Sequence, residues 1–312
     1  MAATFSTAQP VPPESADPLL RRLEWTVLRR LDGLLQGDCR TLLRGAGIDL
    51  ADLREYQSHD DVRHIDWNVT ARLQQPYVRV FTEDREISAW FVLDLSASMD
   101  FGSGQRCKRQ VSTELVGVLA RLLSRHGHRV GALLCGAGGI EVVIPARSGR
   151  PHVLQLLHTL QTRPLASDHG QASGPTHLQA LLQAAAPVLR RRTTVFVLSD
   201  FISEPGWEAP LGQLAQRHDV LAVRLLDPLE RELPDLGLMP VRDLETGEQL
   251  LVDTHDADFR KRFAWIAAQR EAGLRQALGR TGVDTLELST EDDLVEAVVR
   301  LTELRKRRKE RP

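Results

Sequence analysis

The 312-residue sequence predicts an α/β fold: a doubly wound, mostly parallel sheet with helices on both faces and a small N-terminal helical or irregular module. Three short runs, at residues 90–93, 194–198 and 220–226, are almost entirely apolar. Buried parallel strands have this composition because helices cover both of their faces. Segments with helical spacing separate these runs, so strand and helix alternate as they do around a parallel sheet. A length of 312 residues is enough for one large domain or for one medium domain with an appendage, and a hydrophobic content of 42% is enough to bury a sizeable core.

The N-terminal part of the chain is predicted to contain a tail, a helix and an irregular segment. Residues 1–16 are rich in proline and lack periodicity, so we expect a disordered tail. A helix capped by Asp17 follows. Its apolar face is formed by Leu20, Leu23, Val27, Leu31 and Leu34. A charged stretch with a strand at residues 77–81 completes a module over residues 17–86.

Residues 87–304 are predicted to form the sheet domain. Its strands are expected at residues 90–93, 130–134, 140–144, 194–198, 220–226 and 283–288. Its helices are expected around residues 111–122, at 153–160, from about Thr176, around residues 259–278, and from about Glu291. Pro187 should end or kink the helix that begins near Thr176. Thr290 and Asp293 have the spacing of a capping box. We also expect a hairpin insertion at about 240–254 and a basic tail at 305–312.

Composition restricts the compartment and the partners. Forty basic and 42 acidic side chains nearly cancel, so net charge favours neither nucleic acid nor an anionic membrane. The basic tail is interpreted as a solvated helix end. Three cysteines without C-x-x-C spacing fit neither a disulfide framework nor a zinc knuckle. The longest apolar stretch is too short to span a bilayer, and no secretory leader is evident. These features predict a cytoplasmic protein with no membrane span.

Oxygen-bearing side chains follow two of the predicted strands. Asp94, Ser96 and Ser98 come after the strand at 90–93, and Asp200 follows the strand at 194–198. Thr176 adds a hydroxyl at a predicted helix start. Such oxygens suit a small hard cation better than zinc or copper. Each residue alone also fits a turn or a helix cap, and it is their combination that predicts a metal site.

This set resembles the metal-ion-dependent adhesion site (MIDAS) of von Willebrand factor type A (vWA) domains. The resemblance implies that Ser96 and Ser98 bind Mg²⁺ or Mn²⁺ directly. It implies that Thr176, Asp94 and Asp200 bind the ion directly or through water. Because Mg²⁺ takes about six oxygen ligands, one position is expected to stay open for an Asp or Glu of a protein partner.

The upstream segment resembles a particular bacterial family. The matching motifs are Gly45-x-Gly47, Leu53-Arg54-x-Tyr56, Asp60-Asp61-x-Arg63-x-Ile65-Asp66-Trp67, Thr70-Ala71-Arg72, the following Asp94-Leu95-Ser96-Ala97-Ser98-Met99, and a later hairpin, Glu245-Thr246-Gly247-Glu248. They resemble the bacterial family of unknown function numbered fifty-eight, whose members carry a vWA-like domain and are commonly encoded beside MoxR-type AAA+ ATPases. Two features depart from the family pattern: His59 stands where glycine is usual, and the membrane helices with which many members begin are lacking.

These observations predict a non-catalytic, metal-dependent adaptor that works with a MoxR-type ATPase in the assembly or activation of other proteins. No P-loop, G-x-S-x-G elbow or H-E-x-x-H motif occurs. One alternative is a Mg²⁺-dependent phosphoryl-transfer enzyme with Asp94 as nucleophile, although Ser96 stands where such enzymes need a second Asp. The other is a metal-free scaffold. The charged block between Arg54 and Arg72 is either a partner-docking surface or a set of ion pairs that fasten the module. The second interpretation is favoured, with Tyr56 and Trp67 anchoring the packing.

Overall fold

The computed structural model describes residues 3–5, 15–35, 52–57, 60, 62, 65–80, 88–136, 139–163, 177–243 and 248–309. The strands among these residues are β1 (Ala3–Phe5), β2 (Asp52–Glu55), β3 (Tyr77–Val80), β4 (Ser88–Asp94), β5 (Arg129–Gly136), β6 (Gly139–Arg147), β7 (Thr194–Ser199), β8 (Asp219–Leu226), β9 (Leu238–Asp243), β10 (Gln249–Asp253) and β11 (Asp284–Ser289). The α-helices are α1 (Ala16–Leu23), α2 (Arg29–Leu35), α3 (Trp67–Leu73), α4 (Lys108–Arg125), α5 (Arg150–Gln161), α6 (Leu178–Ala185), α7 (Glu208–Arg217), α8 (Ala257–Thr281) and α9 (Leu294–Lys309).

Six strands form the main sheet in the order β11-β8-β7-β4-β5-β6. All neighbours pair in parallel except β6, which runs antiparallel to β5. From β4 the chain winds to β5 and β6 on one side, then returns to β7 and winds to β8 and β11 on the other. This reversal is the doubly wound arrangement. The predicted fold class is confirmed.

Helices cover both faces of the sheet, so its central strands are apolar on both sides. On one face, Phe91 and Phe196 stack with ring centroids 5.3 Å apart beneath α1, α4, α5 and α9. On the other, Val195 and Val197 pack against α6, α7 and α8.

The predicted end of a helix near Pro187 is confirmed, because α6 stops at Ala185. The sequence does not predict α7, because Pro210 and Gly212 interrupt its apolar periodicity.

The N-terminal helix is one continuous segment over residues 16–35. A π-helical turn at Glu24–Leu28 joins α1 to α2. The helix starts at Ala16, so the prediction that Asp17 caps it is wrong. Asp17 instead lies in the first turn, where its carboxylate pairs with Arg21 at 2.8 Å and Arg150 at 3.0 Å. An acidic residue in the first turn is favoured by the helix dipole.

Two small sheets accompany the main one. The predicted hairpin is confirmed as the antiparallel pair β9–β10, and the connecting residues 244–247 lie outside the described residues. β1 pairs antiparallel with β9, so Ala3–Phe5 form a strand inside the segment expected to be a disordered tail. The second small sheet is β2 with β3, which begins where the sequence predicts a strand.

The short helix α3 corrects one interpretation of the N-terminal module. Asp66 caps this helix by accepting hydrogen bonds from the backbone N–H groups of Asn68 and Val69. Trp67 begins it and is 69% exposed. The expectation that Trp67 anchors the packing is therefore wrong. The parts of the charged block at residues 61 and 63 lie outside the described residues.

The C-terminal helix also differs from expectation. It begins at Leu294, and the Asp293 carboxylate caps it by accepting from the backbone N–H of Val295 at 2.7 Å. Thr290 forms no capping box, because its hydroxyl donates to Asp227 instead. Arg305, assigned to the basic tail, is buried and pairs with Asp219 at 2.7 Å. The tail prediction is wrong for this residue.

None of the helices in the described ranges has the length and apolarity that crossing a bilayer requires.

Candidate metal centre

The candidate site lies where the winding of the main sheet reverses. β4 and β7 are neighbours there, and the chain leaves them toward opposite edges of the sheet. Asp94 is the last residue of β4, and Asp200 directly follows β7. Open parallel sheets bind ligands beyond the carboxyl ends of their strands at such a reversal. Both predicted carboxylates therefore occupy the position at which this fold binds ligands.

Asp94 is a buried carboxylate held by two donors. Its Oδ1 accepts from the backbone N–H of Ser96 at 2.9 Å, and its Oδ2 accepts from the Ser199 hydroxyl at 2.7 Å. Burial raises the pKa of Asp94 and the charge of Asp200 raises it further, while the bonds from Ser199 and Ser96 lower it in part. The net rise means that the two carboxylates repel each other in a poorly solvated place, and a cation there would relieve the repulsion.

The two serines lie on the turn that follows β4. The hydroxyl oxygens of Ser96 and Ser98 are 3.1 Å apart, and both residues are buried. Arg109 contacts both sides of this turn. Its Nη2 donates to the Leu95 carbonyl at 3.1 Å, and its Nε lies 2.6 Å from the Asp100 carboxylate. The turn is thus fixed at both ends, which places two hydroxyl oxygens side by side next to Asp94.

Asp200 belongs to a buried ion-pair chain. Its Oδ1 accepts from the backbone N–H of Ile202 at 2.9 Å, and its Oδ2 accepts from Lys108 Nζ at 2.7 Å. The same ammonium donates to Glu230 Oε1 at 2.7 Å. Burial by itself lowers the pKa of Lys108, but the charges of Asp200 and Glu230 outweigh it and raise the pKa. Lys108 therefore stays charged beside the candidate site.

A third carboxylate, Asp227, follows β8 on the same edge of the sheet. It is fully buried and accepts from the Ser103 hydroxyl at 2.6 Å, the Thr290 hydroxyl at 2.7 Å and the Leu229 backbone N–H at 3.0 Å. These donors join the loop after β4 to the ends of β8 and β11. Asp227 is thus a structural acceptor that braces the edge on which Asp94 lies.

The structure brings together four of the five predicted ligands: Asp94, Ser96, Ser98 and Asp200. Thr176 lies outside the described residues. Metal binding by these residues stays a prediction. In the described part of the chain, no group of three or more His, Cys, Asp or Glu residues is arranged to hold a metal ion. The candidate set differs from such a group because half of its members are hydroxyls.

The donor set fits Mg²⁺ or Mn²⁺ in its chemistry. All four side chains offer oxygen atoms, and the Asp94 carboxylate, which accepts from the uncharged donors Ser96 N–H and Ser199 O–H, supplies negative charge. A thiol is close, since Cys135 lies opposite Asp94 in the sheet register. Burial, and then the charge of Asp94, raise the pKa of Cys135 to about 12, so the thiol is neutral at physiological pH and a poor soft ligand.

Sequence reasoning missed Lys108, Glu230 and Asp227. Lys108 stands among other basic residues, in a run that suggests a solvated helix start. One signal could have revealed it: Lys108 shares a helical face with Ser112, Leu115 and Leu119, all of which are buried. No comparable pattern marks Glu230, because its contact with Lys108 joins residues 122 positions apart.

Comparison with known proteins identifies the family. The model described as "Protein of unknown function DUF58" matches residues 52–273. The chain belongs to this family. An uncharacterized protein of Mycobacterium tuberculosis, Rv1480, is 38% identical to this DUF58 chain over 288 residues, covering 92% of this chain and 89% of the relative. Mb1516 of Mycobacterium bovis, also uncharacterized, has the same identity and coverage.

Solved structures with distant likeness include two Bacteroides proteins. The conserved hypothetical protein BatB from Bacteroides thetaiotaomicron is 15% identical to this DUF58 chain, with a TM-score of 0.46, covering 72% of this chain and 99% of BatB. An aerotolerance-related membrane protein from Bacteroides fragilis is also 15% identical, with a TM-score of 0.44 and coverage of 71% and 99%.

Proposed function

We propose that this protein is a metal-dependent interaction module. Asp94, Ser96, Ser98 and Asp200, with Thr176, would hold Mg²⁺ or Mn²⁺. A bound divalent ion would supply a positive charge with a position open to an Asp or Glu of a protein partner. The observation that carries the proposal is the convergence of two mutually repelling carboxylates and two hydroxyls at the switch point of the sheet.

The chain's own residues would prepare that position. The bonds from Ser199 and from the Ser96 backbone fix the Asp94 carboxylate, and Arg109 fixes the turn that carries both serines. A site built in advance loses little entropy on binding. Burial excludes water from the carboxylates and strengthens their attraction for a cation. Recognition of an acidic side chain would follow from charge and from the open position, without any chemical step.

We propose a non-catalytic role for two reasons. Ser96 stands where a phosphoryl-transfer enzyme that uses Asp94 as nucleophile would need its general acid. Lys108 is fully buried and already bonded to Asp200 and Glu230, so its ammonium is not presented to a phosphate.

The resemblance to the family suggests a MoxR-type AAA+ ATPase as one partner. The proposed compartment is the cytoplasm, since Cys107 and Cys135, both free thiols, suit a reducing environment.

The metal proposal is tested by thermal unfolding with and without Mn²⁺. An ion that binds only the folded chain raises the melting temperature as its concentration exceeds the dissociation constant. We expect millimolar Mn²⁺ to raise the melting temperature of the wild type and of Asp258→Asn, an exposed control, but not that of Asp94→Asn. Equal shifts in the wild type and Asp94→Asn, or no shift in either, would contradict the proposal.

The partner proposal is tested by affinity capture. Wild-type protein should retain an acidic partner in Mg²⁺ buffer and release it in EDTA, and Asp94→Asn should not retain it in either buffer. Adding the purified MoxR-type ATPase of the same organism tests whether it is that partner. Retention that EDTA and Asp94→Asn leave unchanged would rule out metal-bridged recognition.

A further inference from the structure

Lys108 is a buried cation that is bonded directly to Asp200, one of the proposed metal ligands. It begins α4, is 0% exposed and donates to both Asp200 and Glu230 at 2.7 Å. Removing an ammonium from water costs several kcal/mol unless its partners are well placed. A neutral residue at position 108 would avoid this desolvation cost, yet the chain has a buried ammonium beside the proposed metal ligands.

The bonding of Lys108 changes what Asp200 can offer to an ion. Both Asp200 oxygens already accept a hydrogen bond, one from Ile202 and one from Lys108. The ammonium also offsets part of the negative charge that Asp94, Asp200 and Glu230 bring to this edge of the sheet. A divalent ion would therefore meet a weaker negative field than the three carboxylates would produce alone.

We propose that Lys108 is a positioning residue that weakens the affinity of the site for the ion alone and leaves the ion's charge available to the partner's carboxylate. Glu230 acts in the opposite direction, because its carboxylate accepts from the same ammonium and compensates the charge of Lys108. This inference rests on the proposed function, since it concerns the same metal site. It adds two residues that act on the ion through their charge, one of them bonded directly to Asp200.

The alternative is that Lys108 only ties α4 to the ends of β7 and β8. The two roles differ in the sign of one effect. Damage to a structural brace lowers ion affinity or leaves it unchanged. Loss of a repelling charge raises ion affinity, even when the folded state becomes less stable.

The test is calorimetric titration of the full chain with Mn²⁺ alone, using Lys108→Met, Glu230→Gln and the double variant. Lys108→Met removes one positive charge and should bind Mn²⁺ about tenfold more tightly than the wild type. Glu230→Gln removes one negative charge and should bind it about tenfold more weakly. The double variant restores the charge balance and should bind like the wild type. The exposed control Lys261→Met should also bind like the wild type.

The outcomes separate this inference from the metal proposal. Wild-type binding together with Lys108→Met binding that is equal or weaker would overturn the role of Lys108 and leave the metal site intact. Absence of Mn²⁺ heat in the wild type and in every variant would overturn both. If circular dichroism shows that Lys108→Met does not fold, the double variant is compared with Glu230→Gln. The double variant should then bind Mn²⁺ about tenfold more tightly, and equal affinities would overturn the inference.

Discussion

Single residues of the same type have very different roles in this chain, and tryptophan shows it best. Trp207 is 3% exposed and packs edge-on against Phe201, with ring centroids 5.2 Å apart. That contact lies directly after Asp200, so it supports the loop that carries a proposed ligand. Trp67 is 69% exposed on the N-terminal module. Size and aromaticity alone predicted an anchoring role for Trp67, and only burial distinguishes the two residues.

The contrast predicts the effect of shortening each side chain. Trp207→Ala should lower the free energy of unfolding by about 3–5 kcal/mol, because it leaves a cavity in the core. Trp67→Ala should change it by about 0.5 kcal/mol or less, because the side chain is mainly in water. Urea unfolding followed by circular dichroism measures both. A loss for Trp67→Ala as large as that for Trp207→Ala would show that Trp67 is an anchor after all.

At the scale of elements, charged side chains connect α8 to the edge of the main sheet. Arg224 on β8 is buried and bonds Glu271 of α8 and Glu287 of β11. Arg231 bonds the same two carboxylates from outside, at 2.9 Å and 3.0 Å. Burial raises the pKa of Glu271, but the bonds and charges of Arg224 and Arg231 outweigh it and lower the pKa to about 2.

The lowered pKa predicts how stability depends on acid. A carboxyl group whose pKa falls on folding contributes stability above its ordinary pKa near 4.5, and the contribution disappears as the pH falls toward 2. Glu271→Gln should therefore cost about 1–3 kcal/mol at pH 7, and less as the pH falls from 5 to 3. Urea titrations at pH 7, 5 and 3 measure this, with the exposed Glu303→Gln as control. A difference that does not shrink at pH 3 would contradict the account.

The elements that the sequence predicted well are those whose local pattern matches their environment. β4, β7 and β8 are apolar runs because both of their faces are covered, and this made them visible. Asp94 and Asp200 were found because each directly follows such a run. Thr290 and Arg305 were interpreted wrongly because their partners, Asp227 and Asp219, lie 63 and 86 residues away. A contact made across the fold leaves no periodic signal in the sequence.

At the scale of the whole molecule, the core extends beyond the residues that the family model matches. That match covers residues 52–273, yet β11, α9 and the helix at 16–35 pack into the same core as α4 and α5. The helix at 16–35 buries Leu19, Leu20, Leu23, Val27, Leu28 and Leu31. Gly117 on α4 permits this approach, since a Cβ there would lie 3.1 Å from Leu23 and 3.2 Å from Leu157.

The shared core predicts that a chain lacking residues 1–35 does not fold on its own. Six large apolar side chains, at about 1.5–3 kcal/mol each, contribute on the order of 10 kcal/mol, which is comparable to the whole stability of a domain at about 5–15 kcal/mol. The shortened chain should lack a cooperative thermal transition and bind a hydrophobic dye. A chain that begins at Ser15 keeps the helix and should unfold cooperatively. Adding a peptide of residues 15–35 to the shortened chain should restore the transition. Cooperative unfolding of the shortened chain without the peptide would show that residues 36–312 form an independent core.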